Sequence, residues 1–520
     1  MRRHVAPVAS LLLMASLLLA VLLAAPASPA ERRRRPVVTG AVQVTDNPVP
    51  VRAHNSPQLA RNPKTGELVV AEVDSFGSRE CTVHISVDDG RSWFRGGNPM
   101  MRPFTDCSIG AEWGNYFGLF FGRNGVLYLP FAANDPKELA QTRPVTTEDT
   151  RDFIPRHVFL ASSTDGGRSF STTIVHRVSE GHPDRYNKGV VGAVDPNDPQ
   201  RVYVGWRQGA FSSETQKLKN LVAASTDGGK TFAAPVDITD DRGADHPWLA
   251  VGRDGTVHAV TWSRSFGLGD ESPPRPIFHL RSRDQGKTWT RKEIDPGNER
   301  SYRPPVFAAD PRSDSLYVAW FGSAEEHNRA LEDKDRTDIF LRASTDGGKT
   351  WSAQRTVNDD AGKGINHEFP GIAIGPEGRV DVAWYDGRLS PRPSSDPESD
   401  SGLQDVFYAS STNQGRSFGP NRRITDRSID RSIGVWSNNI GSAAPIGMAS
   451  AADAVYFAWQ DTRNGNPLTN AEDVYFASLR LAEPLASGSG MPPWITLAPS
   501  SALWQERQLA TDGRRDVSAG

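Results

Sequence analysis

Short runs of apolar residues alternate with polar turn residues along most of the chain. Runs such as VDVAW (380–384) and VYFAW (455–459) are rich in β-branched and aromatic residues, which is typical of buried strands. The chain has 47 Gly and 38 Pro among 520 residues, so residues that form turns are abundant. Few stretches show the period of an amphipathic helix. The pattern therefore predicts an all-β fold of many short antiparallel strands.

One turn sequence recurs six times, with first serines 57 to 77 residues apart. Each copy has the form Ser-x-Asp-x-Gly-x-x-aromatic, and Asn413 is the single departure from Asp. We expect a hairpin turn in which the Asp accepts backbone hydrogen bonds and the Gly has a positive φ. The closing aromatic residue should pack between neighbouring hairpins. The copies are SVDDGRSW (86–93), STDGGRSF (163–170), STDGGKTF (225–232), SRDQGKTW (282–289), STDGGKTW (344–351) and STNQGRSF (411–418).

Each turn belongs to a unit of four predicted strands, A to D in chain order, with the turn between C and D. Hairpins of strands A and B occur seven times, but the last unit ends at DVYFASLRL (473–481) without a strand D. The N-terminal segment AVQVTDN (41–47) resembles the D-strand sequences VDITDD (236–241) and RRITDR (422–427). We predict a β-propeller of seven four-stranded antiparallel blades, closed by the N-terminal strand, with six blades as the alternative.

The six segments resemble the Asp-box, or BNR, repeat of sialidases, sortilin-type receptors and other β-propellers. The resemblance covers roughly residues 41–481, which we assign to the propeller. It implies propeller architecture and a sialidase-like superfamily, whereas the box itself is structural and recurs with unrelated activities. The Asp-box face resembles the non-catalytic face of sialidases. We therefore expect function on the opposite face, where strands A begin and strands B end.

Sialidases are similar to one another in an arginine triad that binds a carboxylate, a Tyr nucleophile paired with Glu, and an Asp acid/base. By position, the resemblance implies Arg52 as a substrate-binding residue before the first A strand and Asp74 as the catalytic acid after the first B strand. Glu368 and Arg388 bracket the A–B hairpin of blade six and correspond to the Glu and a second Arg. The usual Phe/Tyr-Arg-Ile-Pro motif is replaced by Val51-Arg52-Ala53-His54.

The remaining Tyr and Arg do not map to single positions. Tyr385 is the catalytic candidate, and Arg463 and Arg431 are candidates for binding substrate. Arg388 and Arg463 end the related phrases WYDGR (384–388) and WQDTR (459–463), so an ion pair within each blade is the alternative reading of both residues.

Residues 1–30 resemble a cleavable signal peptide, with Arg2 and Arg3 followed by an apolar stretch and small residues. Residues 31–40 form a basic leader, and residues 482–520 are predicted to be a disordered tail. The net charge of −3 gives no basic footprint, so a nucleic-acid partner is not expected. No later apolar run could span a membrane, and we predict a secreted, extracellular protein.

Cys81 and Cys107 are the only cysteines, and strand order can bring them to the same face. In an oxidising compartment we expect a disulfide between them. The histidines are scattered without metal-binding spacing, so no metal site and no cofactor are predicted.

The sequence leaves two classes of function open. One is a sialidase-like glycoside hydrolase, of the exo-α-sialidase type or acting on another polysaccharide, whose partner is an extracellular glycan or glycoprotein. The alternative is a non-catalytic propeller that binds glycan, protein or peptide partners.

Overall fold

The computed structural model describes residues 36–74, 80–108, 118–139, 156–178, 185–210, 218–239, 245–262, 276–297, 305–322, 337–391, 402–434 and 445–481. These residues belong to one compact unit, Met1–Ala482, and a second unit, Glu483–Gly520, lies outside the described residues. The predicted signal peptide, residues 31–35 of the basic leader and the C-terminal tail lie outside them. Among the described residues, no helix has the length and apolarity needed to cross a membrane.

Seven antiparallel sheets form the seven predicted blades, so the all-β propeller is confirmed. Blade two differs because its inner edge is split into two short strands that both pair with strand B. Within the described residues, the helical segments are Pro136–Leu139 and the 3-10 turn Pro376–Gly378. Strands A to D of blade one are His54–Arg61, Leu68–Asp74, Glu80–Ser86 and Phe94–Arg95; those of blade two are Thr105–Ser108 with Phe120–Phe121, Leu127–Asn134, His157–Ser163 and Ser171–His176. Strands A to D of blade three are Arg185–Val194, Val202–Ala210, Lys219–Ser225 and Val236–Asp237; those of blade four are Asp245–Val251, Val257–Trp262, Ile277–Ser282 and Thr290–Asp295. Strands A to D of blade five are Val306–Ala309, Leu316–Gly322, Asp338–Ser344 and Arg355–Thr356; those of blade six are His367–Ile374, Val380–Asp386, Leu403–Ser411 and Arg422–Arg423, with Ile429–Asp430 added beside strand C.

The N-terminal strand completes blade seven, as predicted. Blade seven contains Gly447–Ser450, Ala454–Asp461 and Asp473–Arg480, and its outer edge is formed by Val37–Val38 and Val42–Gln43. A side-chain bond repeats the geometry of the preceding blade. Thr45 Oγ1 donates to Asp473 Oδ1 at 3.1 Å, and Thr425 Oγ1 donates to Asp405 Oδ1 at 2.6 Å. The similarity of AVQVTDN to RRITDR is therefore structural as well as sequential.

The inner strands contact one another around the ring, and blade seven meets blade one at Gly447. A Cβ atom at Gly447 would lie 3.0 Å from the carbonyl oxygen of Pro57 and 3.1 Å from the backbone nitrogen of Leu59. A larger residue would push these strands apart. Between the blades lie B-strand tryptophans that are almost fully buried, namely Trp206, Trp262, Trp320, Trp384 and Trp459.

The Asp-box turns adopt one hydrogen-bonded geometry. In blade five, the Ser344 hydroxyl donates to Asp346 at 2.8 Å and accepts from the Gly348 backbone at 2.9 Å. Asp346 also accepts bonds from the Thr350 backbone at 2.9 Å and hydroxyl at 2.6 Å. Gly348 has a φ of 79°, the positive value predicted for this position. These contacts make each turn a rigid hairpin whose closing aromatic packs against a neighbouring blade.

Asn413 keeps this geometry with a change of donor. Its Oδ1 accepts from Ser411 and from the Ser417 backbone at 2.8 and 3.0 Å, while its Nδ2 donates to the Ser417 hydroxyl at 2.8 Å. The amide thus replaces the carboxylate without losing a contact. At Asp346, slight burial opposes ionisation, but the bonds from Thr350 and Ser344 lower the pKa of the carboxyl to about 2.

The contrast between Asp and Asn in the box gives a stability prediction. Asp346→Ala should lower the free energy of unfolding by about 1 kcal/mol at neutral pH, because the turn loses its acceptor. Asp346→Asn should be nearly neutral, since Asn413 occupies the same position in blade six. Urea unfolding of both variants checks this. Equal stability of the Ala and Asn variants would contradict it.

The low pKa also predicts acid sensitivity with a definite sign. An unfolded Asp binds a proton below about pH 4, whereas the folded box carboxyl stays ionised down to about pH 2. The stability that this carboxylate contributes is present above pH 4 and is lost as the pH falls through 2. Urea unfolding of the wild type should therefore show decreasing stability from pH 4 toward pH 2, and Asp346→Asn should reduce that slope.

A disulfide joins Cys81 and Cys107, whose Cα atoms are 5.5 Å apart. Cys81 lies in strand C of blade one, and Cys107 lies in the first inner segment of blade two. The predicted bond is therefore present, and it connects two consecutive blades.

Candidate functional site

The candidate site lies where the A strands begin, on the face opposite the Asp-box turns. Five A strands have a β-bulge there, in which one extra residue interrupts pairing with strand B; they belong to blades one, two, three, four and six. We call the ring formed by the residues just before the bulges of blades one, three, four and six the axial mouth; these residues are Asn55, Lys188, Asp245 and Glu368. The residues that follow have positive φ angles and are Ser56 (55°), Gly189 (64°), His246 (33°) and Phe369 (50°).

Three of these four positive-φ residues carry side chains. Such a conformation costs about 1–3 kcal/mol and persists where the surrounding structure imposes it, often at functional sites. Bulges also re-aim side chains beside active sites. The axial mouth is therefore the candidate functional surface.

Two predicted catalytic residues lie side by side at the mouth. Tyr385 in strand B of blade six is directly opposite Glu368 in strand A, so both project from the same face of the sheet. The Tyr385 hydroxyl accepts a 3.2 Å bond from the backbone N–H of Gln460 in blade seven. The Arg431 guanidinium lies 5.7 Å from the centre of the Tyr385 ring. Glu368 accepts a 3.1 Å bond from the side-chain amide of Gln404.

Burial governs the chemistry of this phenol. Tyr385 is fully buried, which raises its pKa to about 12, while the positive charge of Arg431 opposes the shift. The hydroxyl is therefore neutral at physiological pH. Attack by its oxygen would need a base to remove the proton.

Glu472, which the sequence analysis missed, supplies a carboxyl with a suitable pKa. Its complete burial raises the pKa to about 7, against the opposing charge of Arg431. Backbone bonds hold this residue beside blade one: Glu472 N–H donates to the Arg52 carbonyl at 3.0 Å, and His54 N–H donates to the Glu472 carbonyl at 3.1 Å. A carboxyl that titrates near pH 7 can both donate and accept a proton.

The internal repeat indicates that Glu472 lies at the same place in its blade as Gln404 does in blade six. The phrases QDV (404–406) and EDV (472–474) begin strand C in blades six and seven, so Gln404 and Glu472 occupy equivalent positions. A comparison of strand C among the repeats, rather than of the Asp boxes alone, would have identified both residues.

Two buried side-chain atoms on the mouth side have no hydrogen-bond partner among the described residues. Native proteins usually satisfy such groups with protein, water or ligand. The unsatisfied atoms therefore mark a place that suits hydroxyl groups. They are His54 Nε2 and Gln404 Oε1.

Asp74, the predicted acid, is half-buried beside a buried Glu–His pair. His54, its cross-strand neighbour, bonds through Nδ1 to Glu72 at 3.1 Å. Burial alone would lower the pKa of His54, but the charges of Glu72 and Asp74 raise it. Burial would raise the pKa of Glu72, but the charge of His54 lowers it. The net effect raises the pKa of His54, which favours a positive charge on the imidazole next to Asp74.

Arg52, predicted to bind substrate, is paired with a protein carboxylate. Its Nε and Nη2 donate to the two oxygens of Asp473 at 2.7 and 2.6 Å, and Nη1 donates to the Val49 carbonyl at 2.9 Å. This bidentate pair joins the segment before blade one to blade seven.

The phrases WYDGR and WQDTR fold into the same clamp. In each, the Asp accepts bonds from the Trp indole N–H, from the Arg backbone and from the Arg side chain. Both guanidinium groups also lie over an aromatic ring of strand C. The bonds to Asp386 come from Trp384 and the Arg388 side chain, both at 2.8 Å; those to Asp461 come from Trp459 at 2.9 Å and the Arg463 side chain at 2.8 Å.

Arg388 points away from Tyr385. Tyr385 and Asp386 are consecutive on a strand, so they project from opposite faces of the sheet. On the Asp386 side, Arg388 also bonds to Asp359 at 2.8 Å and to Asp360 at 3.0 Å. The structure thus brings Glu368, Tyr385 and Arg431 together and places Arg388 in a separate ion-pair cluster.

That cluster contains Asp360, His367 and Asp386, the one group in the described part of the chain with metal-ligand types close together. His367 Nδ1 donates to the Thr337 carbonyl at 2.5 Å, and Nε2 lies 3.0 Å from Asp360. Burial would lower the pKa of His367, but Asp360 and Asp386 raise it. Because Arg388 also bonds to Asp360 and Asp386, the protein's own cations occupy these carboxylates and the cluster forms an ion-pair network.

The family comparison agrees with the turns. The model of the BNR/Asp-box repeat family matches residues 342–353, which contain the box of blade five. No curated protein sequence matches the chain.

Similar solved structures include several proteins of low sequence identity. A protein of unknown function from Dyadobacter fermentans is 15% identical with a TM-score of 0.44, over 86% of this chain and 100% of its own. The Hadza microbial sialidase Hz136 is 14% identical with a TM-score of 0.41, over 81% and 75%. The α-L-arabinofuranosidase Arb93A from Fusarium graminearum is 11% identical with a TM-score of 0.44, over 86% and 99%. Values this low do not transfer an activity. The repeated turns, the seven blades and the family match thus show a β-propeller that carries BNR/Asp-box repeats.

Proposed function

We propose that this protein is secreted and acts on extracellular glycans at the axial mouth, as a sialidase-like glycoside hydrolase. The observation that carries the proposal is the placement of Glu368, Tyr385, Arg431 and Glu472 around one mouth-side region. Glycoside hydrolysis needs a proton donor for the leaving oxygen and a second group that stabilises or attacks the anomeric carbon.

In this proposal Asp74 donates the proton to the leaving oxygen. Tyr385 is the nucleophile, and a neighbouring carboxylate, Glu368 or Glu472, takes its proton as the phenol oxygen attacks. Arg431 over the ring stabilises the phenolate that forms. The buried, unsatisfied atoms of His54 and Gln404 would bind sugar hydroxyl groups.

The pairing of the candidate arginines bears on the charge of the sugar that the mouth binds. Arg52, Arg388 and Arg463 were predicted to bind an anionic substrate, and each is paired with a protein carboxylate. A carboxylated sugar would have to displace one of those carboxylates, because the fourth candidate, Arg431, lies over the Tyr385 ring and serves the phenolate in this proposal. An uncharged sugar makes no such demand, so we propose a neutral glycan at the mouth.

The second candidate function is glycan binding without catalysis. The observation that favours it is the burial of the Tyr385 hydroxyl, whose pKa of about 12 makes attack costly. Both candidates use the same mouth, and they differ in turnover alone.

A panel of aryl glycosides, including α-sialosides and α-L-arabinofuranosides, separates the two. We expect the wild type to release aglycone from at least one neutral glycoside, and Glu368→Gln to reduce the rate at least 100-fold. Glu377→Gln is the matched control, because Glu377 is exposed in the A–B turn of the same blade, on the Asp-box face. No turnover of any glycoside, with glycan binding intact, would replace hydrolysis by the second function.

A further inference from the structure

A groove of about 60 Å³ lies on the Asp-box face between blades four and five, far along the strands from the axial mouth. It is lined by the A–B turns of blades four and five, the end of strand C of blade four and the box turn of blade five. Four cationic side chains come together there, and they are Arg253, Arg281, Arg283 and Lys349.

The internal repeat shows that two of these cations are special to blade four. Arg281 and Arg283 flank the first Ser of their box. None of the other five boxes has a charged residue at either position, and all five form the same turn, so the arginines are not needed for folding. The equivalent pairs are Ile85 and Val87, Ser162 and Thr164, Ala224 and Thr226, Ala343 and Thr345, and Ser410 and Thr412.

The acidic residues of the groove are largely engaged by their own turns. Asp254 accepts bonds from the Thr256 backbone and hydroxyl at 3.0 and 2.9 Å. Asp346 accepts the box bonds described above. Asp314 approaches Arg253, at 3.8 Å, in a loose surface ion pair. The turn bonds occupy the oxygens of Asp254 and Asp346 but leave both carboxylates charged, so the four cations of the groove face three carboxylates and keep a net positive charge.

A neutral histidine lies at the back of the groove. His258 is buried and hydrogen-bonds through Nδ1 to His279 Nε2 at 3.0 Å. Burial lowers the pKa of His258 to about 4; Asp254 opposes this shift, and the charges of Arg281 and Arg283 add to it. At neutral pH the imidazole thus offers a hydrogen-bonding group without charge, and the arginines and Lys349 supply the charge.

We propose that this groove binds a tetrahedral oxyanion, namely a phosphate or sulfate ester carried by an extracellular polyanion. Guanidinium forks match the oxygen spacing of such groups and bind them bidentately. The small groove fits one oxyanion group rather than a sugar ring. The site is independent of the axial mouth, so it would anchor the propeller to a polyanionic surface while leaving the mouth face exposed.

The test replaces Arg281 and Arg283 with the residues that blade five has at the equivalent positions. The double variant Arg281→Ala, Arg283→Thr should keep the fold, because Ala343 and Thr345 flank the same Ser in blade five. Inorganic phosphate and sodium sulfate are titrated by calorimetry at pH 7 and constant ionic strength. We expect saturable binding to the wild type and at least tenfold weaker binding to the variant.

The matched control removes the same charge elsewhere on the Asp-box face, in Lys230→Thr with Arg416→Thr; both residues are exposed in their boxes. It should bind as the wild type does. Comparing the affinities for phosphate and sulfate distinguishes a phosphate ester from a sulfate ester as the bound group. Dextran sulfate is then compared with uncharged dextran to test binding of a polyanion. Absence of saturable binding to the wild type, or equal losses in the variant and the control, would overturn the proposal, and neither result bears on the mouth.

Discussion

Replacing Asp473 by alanine is expected to lower the free energy of unfolding by about 3–5 kcal/mol. Asp473 is fully buried and accepts both bonds of the Arg52 guanidinium, together with bonds from Thr45 and from Asn464 Nδ2 at 2.9 Å. Removing the carboxylate leaves a guanidinium that is nine-tenths buried without its partner. Because Thr45 and Arg52 come from the N-terminal segment, the substitution weakens the contacts between that segment and blade seven, which close the ring.

Chemical denaturation of the wild type and Asp473→Ala measures this effect. Glu80→Ala is the control, because Glu80 forms an exposed ion pair with Arg95 at 3.6 Å and should contribute only about 0–1 kcal/mol. A cost for Asp473→Ala as small as that of the control would mean that the Arg52 pair does not stabilise the ring. Arg52 would then be available for substrate, as the sequence resemblance implies.

Asp74→Asn is expected to reduce glycoside turnover by about 10²–10⁴-fold and to leave thermal stability nearly unchanged. The physical reason is that an amide cannot donate a proton to the leaving oxygen, while its size and hydrogen bonding resemble those of the acid. Asp135→Asn is the matched control, because Asp135 directly follows strand B of blade two.

The competing account gives Asp74 a structural role beside charged His54. In that case Asp74→Asn would lower the melting temperature, because the imidazole would lose a nearby negative charge, and turnover would change little. Measuring melting and turnover on the same preparations separates the two roles. Full turnover in Asp74→Asn would end its assignment as the acid.

The architecture could be predicted because it is repeated. Six box sequences gave the C–D turns, the seven A–B hairpins gave the blade count, and AVQVTDN gave the closing strand through its likeness to other D strands. Each rests on local turn chemistry or on apolar periodicity, which a sequence displays directly.

The site was harder to predict because its geometry depends on departures from the repeat. Nothing in the sequence around Phe369 or His246 indicates a positive φ, since residues with side chains rarely adopt it. Whether Arg388 contacts substrate or Asp386 depends on which face of the sheet it joins, and its residue type fits both roles. Glu472 resembles an ordinary polar residue at a strand end until its burial is known.

The central claim is that glycan is recognised at the axial mouth, and glycan-array binding of three proteins tests it most directly. The wild type, Glu368→Gln with Tyr385→Phe, and Arg281→Ala with Arg283→Thr are compared on uncharged extracellular glycans. We predict that the wild type binds at least one of these glycans, that the mouth variant loses binding at least tenfold, and that the groove variant keeps it. Absence of binding by the wild type, or binding unchanged in the mouth variant, would contradict the account.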